Sequence, residues 1–186
     1  MAMGVLSGLD ISTIKSLPPN RTPIVTTTLS NNRRDALISR IKSAISKNSQ
    51  VYWVCPLIDE SESELIGIED LEKILNKEFK SQEYEIIHGK MKDSEKQRIL
   101  SDFKEKKTKI LLATTVIEVG IDVPDANIMI IENSKRFGLA QLHQLRGRVG
   151  RGEKESFCIL MHNDSLTELS EKRLQIITET NDGFII

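Results

Sequence analysis

The chain has 186 residues, enough for one domain or one domain with an appendage, and its 39% hydrophobic, 28% charged and 4% aromatic residues exclude an intrinsically disordered chain. Its 26 basic and 27 acidic residues give a net charge of -1, which excludes a chain that is basic overall. The charges are segregated, however, because seven acids and no base lie at 59–72, whereas six bases and a single acid lie at 135–154, a pattern that predicts a local basic surface.

The cysteines and the apolar runs restrict the compartment and the chemistry. Cys55 and Cys158 are the only cysteines, so we expect buried reduced thiols rather than a disulfide framework, and no His/Cys cluster has the spacing of a metal site. No run approaches the roughly 18 to 20 apolar residues of a membrane span, and the chain does not start with a secretory leader pattern. The sequence therefore predicts a cytoplasmic protein with no membrane partner and no metal ligands of its own.

Strand and helix patterns alternate along the chain. Residues 1–23 end in the proline-rich stretch SLPPNRTP, which predicts a linker into a domain. Apolar and β-branched runs then predict six strands, at 24–29, 51–58, 84–88, 109–115, 127–131 and 156–161. Helical periodicity predicts five helices, at 33–47, 68–79, 94–106 (with Asp93 as its N-cap), 139–149 and 166–180. This alternation predicts an α/β fold in three α/β/α layers, with a mostly parallel sheet that binds ligands at the carboxyl ends of its strands.

The octapeptide QLRGRVGR, which begins at Gln144, carries the strongest functional signal. On a helix, Gln144, Arg148 and Arg151 would share one face, where arginines one turn apart can straddle a phosphate with their planar forks of donors. Gly147 and Gly150 would each destabilise a helix by about 1 kcal/mol relative to alanine, so we expect the backbone to approach a ligand or a facing domain closely. A basic, solvent-facing helix with two tolerated glycines is the alternative.

The loop after the predicted third strand has the sequence HGKM. Gly89 would let backbone amides approach an anion beside His88, and Lys90 would add positive charge. An ordinary turn between a strand and a helix is the alternative interpretation.

The segment ATTVIEVGIDVP after the predicted fourth strand combines three kinds of groups. Thr114 and Thr115 offer hydroxyls to a phosphate, Gly120 leaves the backbone open, and Asp122 can accept a hydrogen bond from a ribose hydroxyl. The alternative for Asp122 is an aspartate that caps the turn before the Val-Pro pair.

An acidic run, DESESE at 59–64, superficially resembles the magnesium-binding end of a strand in a nucleotide hydrolase. That role requires a phosphate loop of the type G-x-x-x-x-G-K-S/T, and the sequence contains none. We therefore interpret the run as a solvated acidic loop.

The segments VYWVCPLI, IIHGKM, ILLATTVIEVGIDVP and RFGLAQLHQLRGRVGRG, in this order and at these distances, resemble the second RecA-like domain of a superfamily 2 helicase. The segments LDISTIKSLPPNR, VCPLIDESE and TETNDGF narrow the resemblance to the RecG branch of that superfamily, bacterial ATP-dependent helicases of branched DNA. The resemblance covers nearly the whole chain. It implies a linker from a preceding motor domain at 1–23, a RecA-like domain at 24–163, and the truncated start of a translocation-coupling helical hairpin at 164–186.

The resemblance also implies roles for individual residues. Arg148 and Arg151 match arginine fingers, which reach across a cleft to the γ-phosphate of ATP held by a first RecA-like domain and stabilise the charge that develops there. The other residues expected to lie at the nucleotide are Gln144, Gly147, Gly120 and Asp122. The residues expected to contact the DNA backbone are His88, Gly89, Thr114 and Thr115.

The implied function is that of an ATP-dependent helicase acting on replication forks and Holliday junctions in recombination and repair. ATP and Mg²⁺ are the implied cofactors, both held mainly by a first RecA-like domain. The implied partners of this chain are that first RecA-like domain of the same polypeptide and branched or forked DNA. Because the chain has no phosphate loop, we expect it to hydrolyse no ATP alone, and its apolar ending suggests a cut chain. The alternatives are a nucleic-acid-binding module without catalysis, or the matching domain of a transcription-repair coupling translocase or an RNA helicase.

Overall fold

A computed structural model describes residues 23–56, 67–114, 126–150, 152 and 154–179. Most of the predicted linker, at 1–22, and the end of the chain, at 180–186, lie outside the described residues. Four predicted site residues also lie outside them: Thr115, Gly120, Asp122 and Arg151.

Six strands form one sheet in which all neighbouring strands are parallel. They are β1 (Ile24–Ser30), β2 (Gln50–Cys55), β3 (Tyr84–Ile87), β4 (Ile110–Thr114), β5 (Ala126–Ile131) and β6 (Ser156–His162), in the spatial order β1-β6-β5-β2-β4-β3. Parallel neighbours require crossover connections, and helices provide them here. The predicted α/β fold with a parallel sheet is confirmed.

Five helices cover the two faces of this sheet. They are α1 (Arg34–Ser46), α2 (Ile68–Glu78), α3 (Asp93–Lys104), α4 (Leu139–Arg146) and α5 (Glu168–Glu179). One apolar core packs α1 and α2 against one face around the fully buried Trp53. The other core packs α3, α4 and α5 against the opposite face around Phe103 and Met129. The two cores make the three predicted layers, and the strands β2, β4 and β5 are buried throughout because helices cover them on both sides.

Two predicted boundaries are wrong. The N-cap of α3 is Lys92, not Asp93, because the helix already begins at Asp93 and places that carboxylate in its first turn. An acid in the first turn still favours the helix through the dipole. Strand β2 ends at Cys55 rather than at 58, before Pro56, which has no N–H to donate to a ladder.

Because all strands are parallel, every strand begins at one end of the sheet and finishes at the opposite end. We call the end where the strands finish the carboxyl edge and the end where they begin the amino edge. The carboxyl edge is formed by the last strand residues Ser30, Cys55, Ile87, Thr114, Ile131 and His162, and the amino edge by the first strand residues Ile24, Gln50, Tyr84, Ile110, Ala126 and Ser156. In a parallel sheet a crossover helix runs back from the carboxyl edge to the amino edge. Segments that follow strands therefore start at one edge, and segments that follow helices start at the other.

Across the part of the chain that the structure describes, every helix is too short or too polar to cross a bilayer.

Candidate functional site

Helix α4 presents the first half of the arginine motif. Its residues Leu142 and Leu145 are buried in the core, whereas Gln144 is exposed on the opposite side. The helix ends at Arg146 with Gly147 as its C-cap, which is earlier than predicted. The expectation of a continuous helix through the second arginine is wrong, because Gly147 ends the regular hydrogen bonding of α4.

The chain beyond α4 forms a tight turn at residues 147–150, which we call the arginine loop; Arg151 follows it and lies outside the described residues. The N–H of Arg148 donates to the carbonyl of Leu145 at 3.0 Å and that of Val149 to Arg146 at 3.3 Å, both across three residues, as in a 3₁₀ turn. Val149 is 1% exposed and packs in the core between the sheet and helices α3, α4 and α5, which fixes the loop on that side. Arg148 is half-buried beside it.

Gly150 lies within the arginine loop in a left-handed conformation, with φ of 79°. A Cβ at this position would lie 2.8 Å from Cγ1 of Ile24, at the start of β1, and 3.5 Å from Cβ of Ser156. Gly150 thus makes a close approach to its own chain. At Gly147 a Cβ would meet only backbone oxygens, the nearest at 3.4 Å.

The contact of Gly150 with Ile24 and Ser156 places the arginine loop at the amino edge of the sheet. The arginine motif therefore lies away from the carboxyl ends of the strands, where we expected ligands, because the motif follows a helix rather than a strand. The electrostatics agree with this placement. Burial raises the pKa of Tyr52, near the start of β2, to about 12, while the positive charge of Arg148 acts in the opposite direction.

Arg146, the first arginine of the motif, has a structural contact that the sequence did not indicate. Its guanidinium is buried, donates to the carbonyl of Ile177 in α5 at 2.8 Å and lies 2.9 Å from Nδ1 of His143. The motif therefore separates into an inward arginine that joins α4 to α5 and a half-buried arginine, Arg148, on the loop. Only the helical period distinguishes them in the sequence, because Arg146 lies four residues after the buried Leu142 and so shares its face of the helix.

The predicted DNA-contacting residues that the structure describes lie at the carboxyl edge. Strands β3 and β4 pair with Ile87 opposite Ala113, so His88 and Thr114 follow on neighbouring strands. His88 is half-buried and Gly89 exposed, and the N–H of His88 donates to Sδ of Met91 at 3.4 Å within a turn. The side chain of Thr114 is 4% exposed, and its Oγ1 has no hydrogen-bond partner among the described residues.

A buried ion pair lies beneath the carboxyl edge, and nothing in the sequence pattern indicated it. Glu132, directly after β5, is 0% exposed and binds both terminal nitrogens of Arg34, at 2.5 and 3.0 Å. The indole N–H of Trp53 donates to the same carboxylate at 3.0 Å. Buried charges persist when each is paired and hydrogen-bonded, and this carboxylate has three donors. The network ties α1 to the ends of β2 and β5.

The groups at the amino edge fit part of a nucleotide site. Arg148 and Gln144 present guanidinium and amide donors, the chemistry that phosphate oxygens accept, and Gly147 adds no side chain between them. The sequence supplies no phosphate loop to hold the nucleotide from the other side. The structure brings Gln144, Gly147 and Arg148 together on one segment and sets His88, Gly89 and Thr114 at the opposite edge.

Comparisons with known proteins extend these observations. The family of the helicase conserved C-terminal domain matches residues 29–153. The ATP-dependent DNA helicase RecG of Pasteurella multocida is 51% identical over 193 residues, which take in 100% of this chain and 27% of that protein. The RecG of Haemophilus influenzae is 50% identical over 188 residues, with the same coverage. The chain thus spans about a quarter of the length of these curated relatives.

A solved structure agrees with the sequence relatives. A structure of RecG bound to a three-way DNA junction has a TM-score of 0.75 and 40% sequence identity, and the match covers 91% of this chain and 22% of that one. The resemblance to the second RecA-like domain of RecG is confirmed. The match at 29–153 includes four of the six strands in full and the whole arginine motif. The chain belongs to the family of helicase conserved C-terminal domains.

Proposed function

We propose that this chain is the second motor domain of an ATP-dependent DNA helicase that acts on branched DNA, such as replication forks and Holliday junctions, in recombination and repair. The observation that carries the proposal is the match to RecG along the whole chain at about half identity. Because the chain spans 27% of those relatives, the activity, cofactors and DNA substrate are proposed for the longer polypeptide.

In this proposal the amino edge faces the nucleotide. Arg148, with Arg151, donates hydrogen bonds to the γ-phosphate of ATP that a first RecA-like domain holds. ATP, bound with Mg²⁺, supplies the phosphoryl group whose transfer to water drives movement. A guanidinium keeps its charge at every physiological pH and binds two oxygens at once, so it stabilises the negative charge that grows during transfer. Gln144 adds an amide donor, and Gly147 leaves room beside it.

The segment after β4 completes the proposed nucleotide contacts. Asp122 would accept a hydrogen bond from a ribose hydroxyl, and Gly120 would leave the backbone accessible beside it. In the sequence, both residues come shortly before β5, which begins at the amino edge. The proposal thus assigns the start of this segment to DNA and its end to the nucleotide.

The carboxyl edge faces DNA in this proposal. His88, Gly89, Thr114 and Thr115 contact the phosphate backbone of one strand from the ends of β3 and β4. Adjacent parallel strands lie about 4.8 Å apart, so neighbouring strand ends can contact the backbone of the same DNA strand together. Contacts of this kind carry little base information, as a translocating enzyme requires.

The proposed division of the chain follows the same relatives. Residues 1–23 link a preceding motor domain, 24–163 form the second RecA-like domain, and 164–186 begin a helical hairpin that couples ATP turnover to translocation. The α5 helix of the last segment already packs in the core through Leu174 and Ile177. A direct contact of this kind between hairpin and motor is what coupling requires. We propose a cytoplasmic location, where chromosomal DNA of a bacterial cell is accessible.

The proposal is tested by comparing the full-length polypeptide with the isolated 186-residue chain. We expect ATP hydrolysis by the full-length protein to be stimulated more by a three-way or four-way DNA junction than by linear duplex of the same length and composition. The isolated chain should show no hydrolysis above buffer, because it has only one side of the nucleotide site. Stimulation by an RNA duplex that equals or exceeds stimulation by the DNA junction would contradict the assignment to branched DNA.

A further inference from the structure

The contact between Ile24 and Gly150 joins the arginine loop to the start of β1. Cγ1 of Ile24 lies 2.8 Å, and Cδ1 3.1 Å, from the position that a Cβ would take on Gly150. Real Cβ atoms do not approach other carbons this closely, so the Ile24 side chain occupies the space in which any larger residue would have to fit. Gly150 and the isoleucine side chain therefore form one complementary pair.

Ile24 is itself held in a fixed position. It pairs with Ser156 in the parallel ladder of β1 and β6, and its half-buried side chain packs against the core below the sheet. Its χ1 rotamer is restricted because it is β-branched. A rigid side chain on a paired strand is suited to hold a neighbouring loop in place.

Two consecutive residues of the loop, Val149 and Gly150, are held by packing. Val149 is anchored in the core, and the φ of 79° at Gly150 directs the chain over Ile24 immediately afterwards. Arg148 directly precedes these two residues, so the path of the backbone at 149–150 sets its placement. A shift of Ile24 is therefore transmitted to Arg148 through Gly150 and Val149.

We propose that Ile24 is a positioning residue for the arginine loop: its side chain, packed against Gly150, sets the placement of Arg148 and so the rate of phosphoryl transfer. Ile24 follows Pro23 at the point where the preceding chain enters the sheet. The inference rests on the proposed role of Arg148 at ATP.

The experiment measures DNA-stimulated ATP hydrolysis by the full-length polypeptide carrying Ile24→Ala. Because a misplacement of about 1 Å can lower a rate by as much as about a hundredfold, we expect kcat to fall by about tenfold, with little change in the KM for ATP and in DNA affinity. Ile24→Val keeps Cγ1, the atom nearest Gly150, and should retain most of kcat. The matched control is Val25→Ala, whose side chain is 54% exposed on the other face of β1 and should leave kcat unchanged.

A double-mutant cycle separates positioning from general loss of stability. Gly150→Ala should lower kcat, and combining it with Ile24→Ala should lower kcat less than the product of the two single effects, because the alanine side chain fits the space vacated by isoleucine. Where Ile24→Ala does not fold, Ile24→Leu replaces it, since a swap at constant volume is tolerated best in a packed core while it moves the branch point away from Gly150.

The outcomes distinguish the inference from the proposed function. A kcat of Ile24→Ala (or Ile24→Leu) equal to wild type, an equal fall in Val25→Ala, or effects that simply multiply in the cycle would each overturn the positioning role. If Arg148→Ala hydrolyses ATP normally, the proposed function fails instead. If Arg148→Ala is inactive while Ile24→Ala is normal, only the inference about Ile24 fails.

Discussion

The amino edge of the sheet presents charged donors on a short loop, whereas the carboxyl edge presents small polar groups at strand ends above a buried ion pair. At the amino edge, Arg148 is held by a turn, by buried Val149 and by the contact of Gly150 with Ile24. At the carboxyl edge, Thr114 ends a fully buried strand, and Glu132 is fixed by Arg34 and Trp53. Packed side chains therefore support the loop at one edge, and a buried ion pair supports the other edge.

This difference suggests how one domain can serve two ligands. Under the proposed roles, the nucleotide would be contacted by an arginine on a loop that rests on a few packed side chains, which can change its placement as domains close. The proposed DNA contacts would keep a constant spacing, because they stand at strand ends in a sheet. Variants at the two edges should therefore affect different measurements.

The largest effect is expected for Arg148→Ala in the full-length polypeptide. Loss of an arginine finger lowers phosphoryl transfer by about a thousandfold or more in related enzymes, so ATP turnover should almost vanish. DNA affinity without nucleotide should remain nearly unchanged, because Arg148 lies at the edge opposite the proposed DNA contacts. Steady-state hydrolysis and fluorescence anisotropy with a labelled junction measure the two properties.

The control for that variant is Arg40→Ala, which removes an exposed arginine from α1, in the other helix layer. Turnover should stay at the wild-type level. A parallel loss of DNA affinity in Arg148→Ala but not in Arg40→Ala would show that the two edges are not functionally separate.

The next largest effect is expected for Glu132→Gln, which breaks the support of the carboxyl edge. Removing one partner of a buried ion pair destabilises a protein by about 3 to 5 kcal/mol, because the other charge stays buried without compensation. Denaturant unfolding of the isolated domain should show this loss, and an Arg34→Met, Glu132→Leu double variant should recover much of it.

An exposed ion pair provides the matched control. Glu85 binds Arg98 at 3.1 Å with much of both side chains exposed, so Glu85→Gln should change the free energy of unfolding by about 0.5 kcal/mol or less. If the two variants lose equal stability, the Glu132 network is not the support described here.

A smaller effect, with opposite signs in two measurements, is expected for Thr114→Val. The buried Oγ1 has no partner among the described residues, so replacing it with a methyl group of the same shape should leave folding unchanged or stabilise it by up to about 1 kcal/mol. If the hydroxyl donates to a DNA phosphate, affinity should fall by about threefold to tenfold, the equivalent of one hydrogen bond. The slope of affinity with salt should not change, because a neutral hydroxyl releases no counterion.

Thr28→Val is the control for both measurements. Thr28 lies on β1, the outermost strand of the sheet, where its side chain is exposed and far from the end of β4 in the strand order. Unchanged DNA affinity in Thr114→Val would remove Thr114 from the proposed DNA contacts.

The smallest effect concerns alkaline pH and tests where Arg148 lies. The pKa of Tyr52 is raised to about 12 from 10.0, so the folded state holds this proton more tightly than the unfolded state. The stability that this gives is complete below about pH 10 and is lost as pH rises from about 10 to about 12. At pH 11 the wild type should therefore have lost about 1 kcal/mol of its free energy of unfolding that the Tyr52→Phe variant keeps, as measured by denaturant unfolding.

Arg148→Ala sharpens the same measurement. The arginine charge opposes the effect of burial on Tyr52, so its removal should raise the pKa of the phenol further, and Arg40→Ala should not. Absorbance titration of tyrosinate detects the shift. An unchanged titration would mean that the guanidinium is not near the start of β2.

The sequence predicted most of the fold because its signals are local. Runs such as 51–55 and 110–113 are apolar throughout, which only strands covered on both faces require, and the alternation with helices implies a parallel sheet. The end of α4 was missed because the helical period continues through Val149, which is buried, although the helix has already ended at Gly147. Periodicity reports which residues face the core, not whether the backbone is still helical.

The candidate site was predictable in composition but not in placement. Arg148, Gln144 and Thr114 stood out by residue type and by their neighbours in the sequence. That the arginine motif lies at the amino edge depends on the direction of α4 in the assembled layers, and the Arg34–Glu132 pair joins residues 98 positions apart. Such long-range contacts leave no pattern in a single sequence.

The bond from the buried Arg146 guanidinium to the carbonyl of Ile177 has a practical consequence for producing this domain. A polypeptide that stopped after β6 would leave this cation without its backbone acceptor and uncover the core side of α4 that Leu174 now covers. Such a polypeptide should aggregate on expression, whereas one that extends through α5 should remain soluble. The last helix is thus a requirement for handling the domain in the laboratory, whatever it does in the working motor.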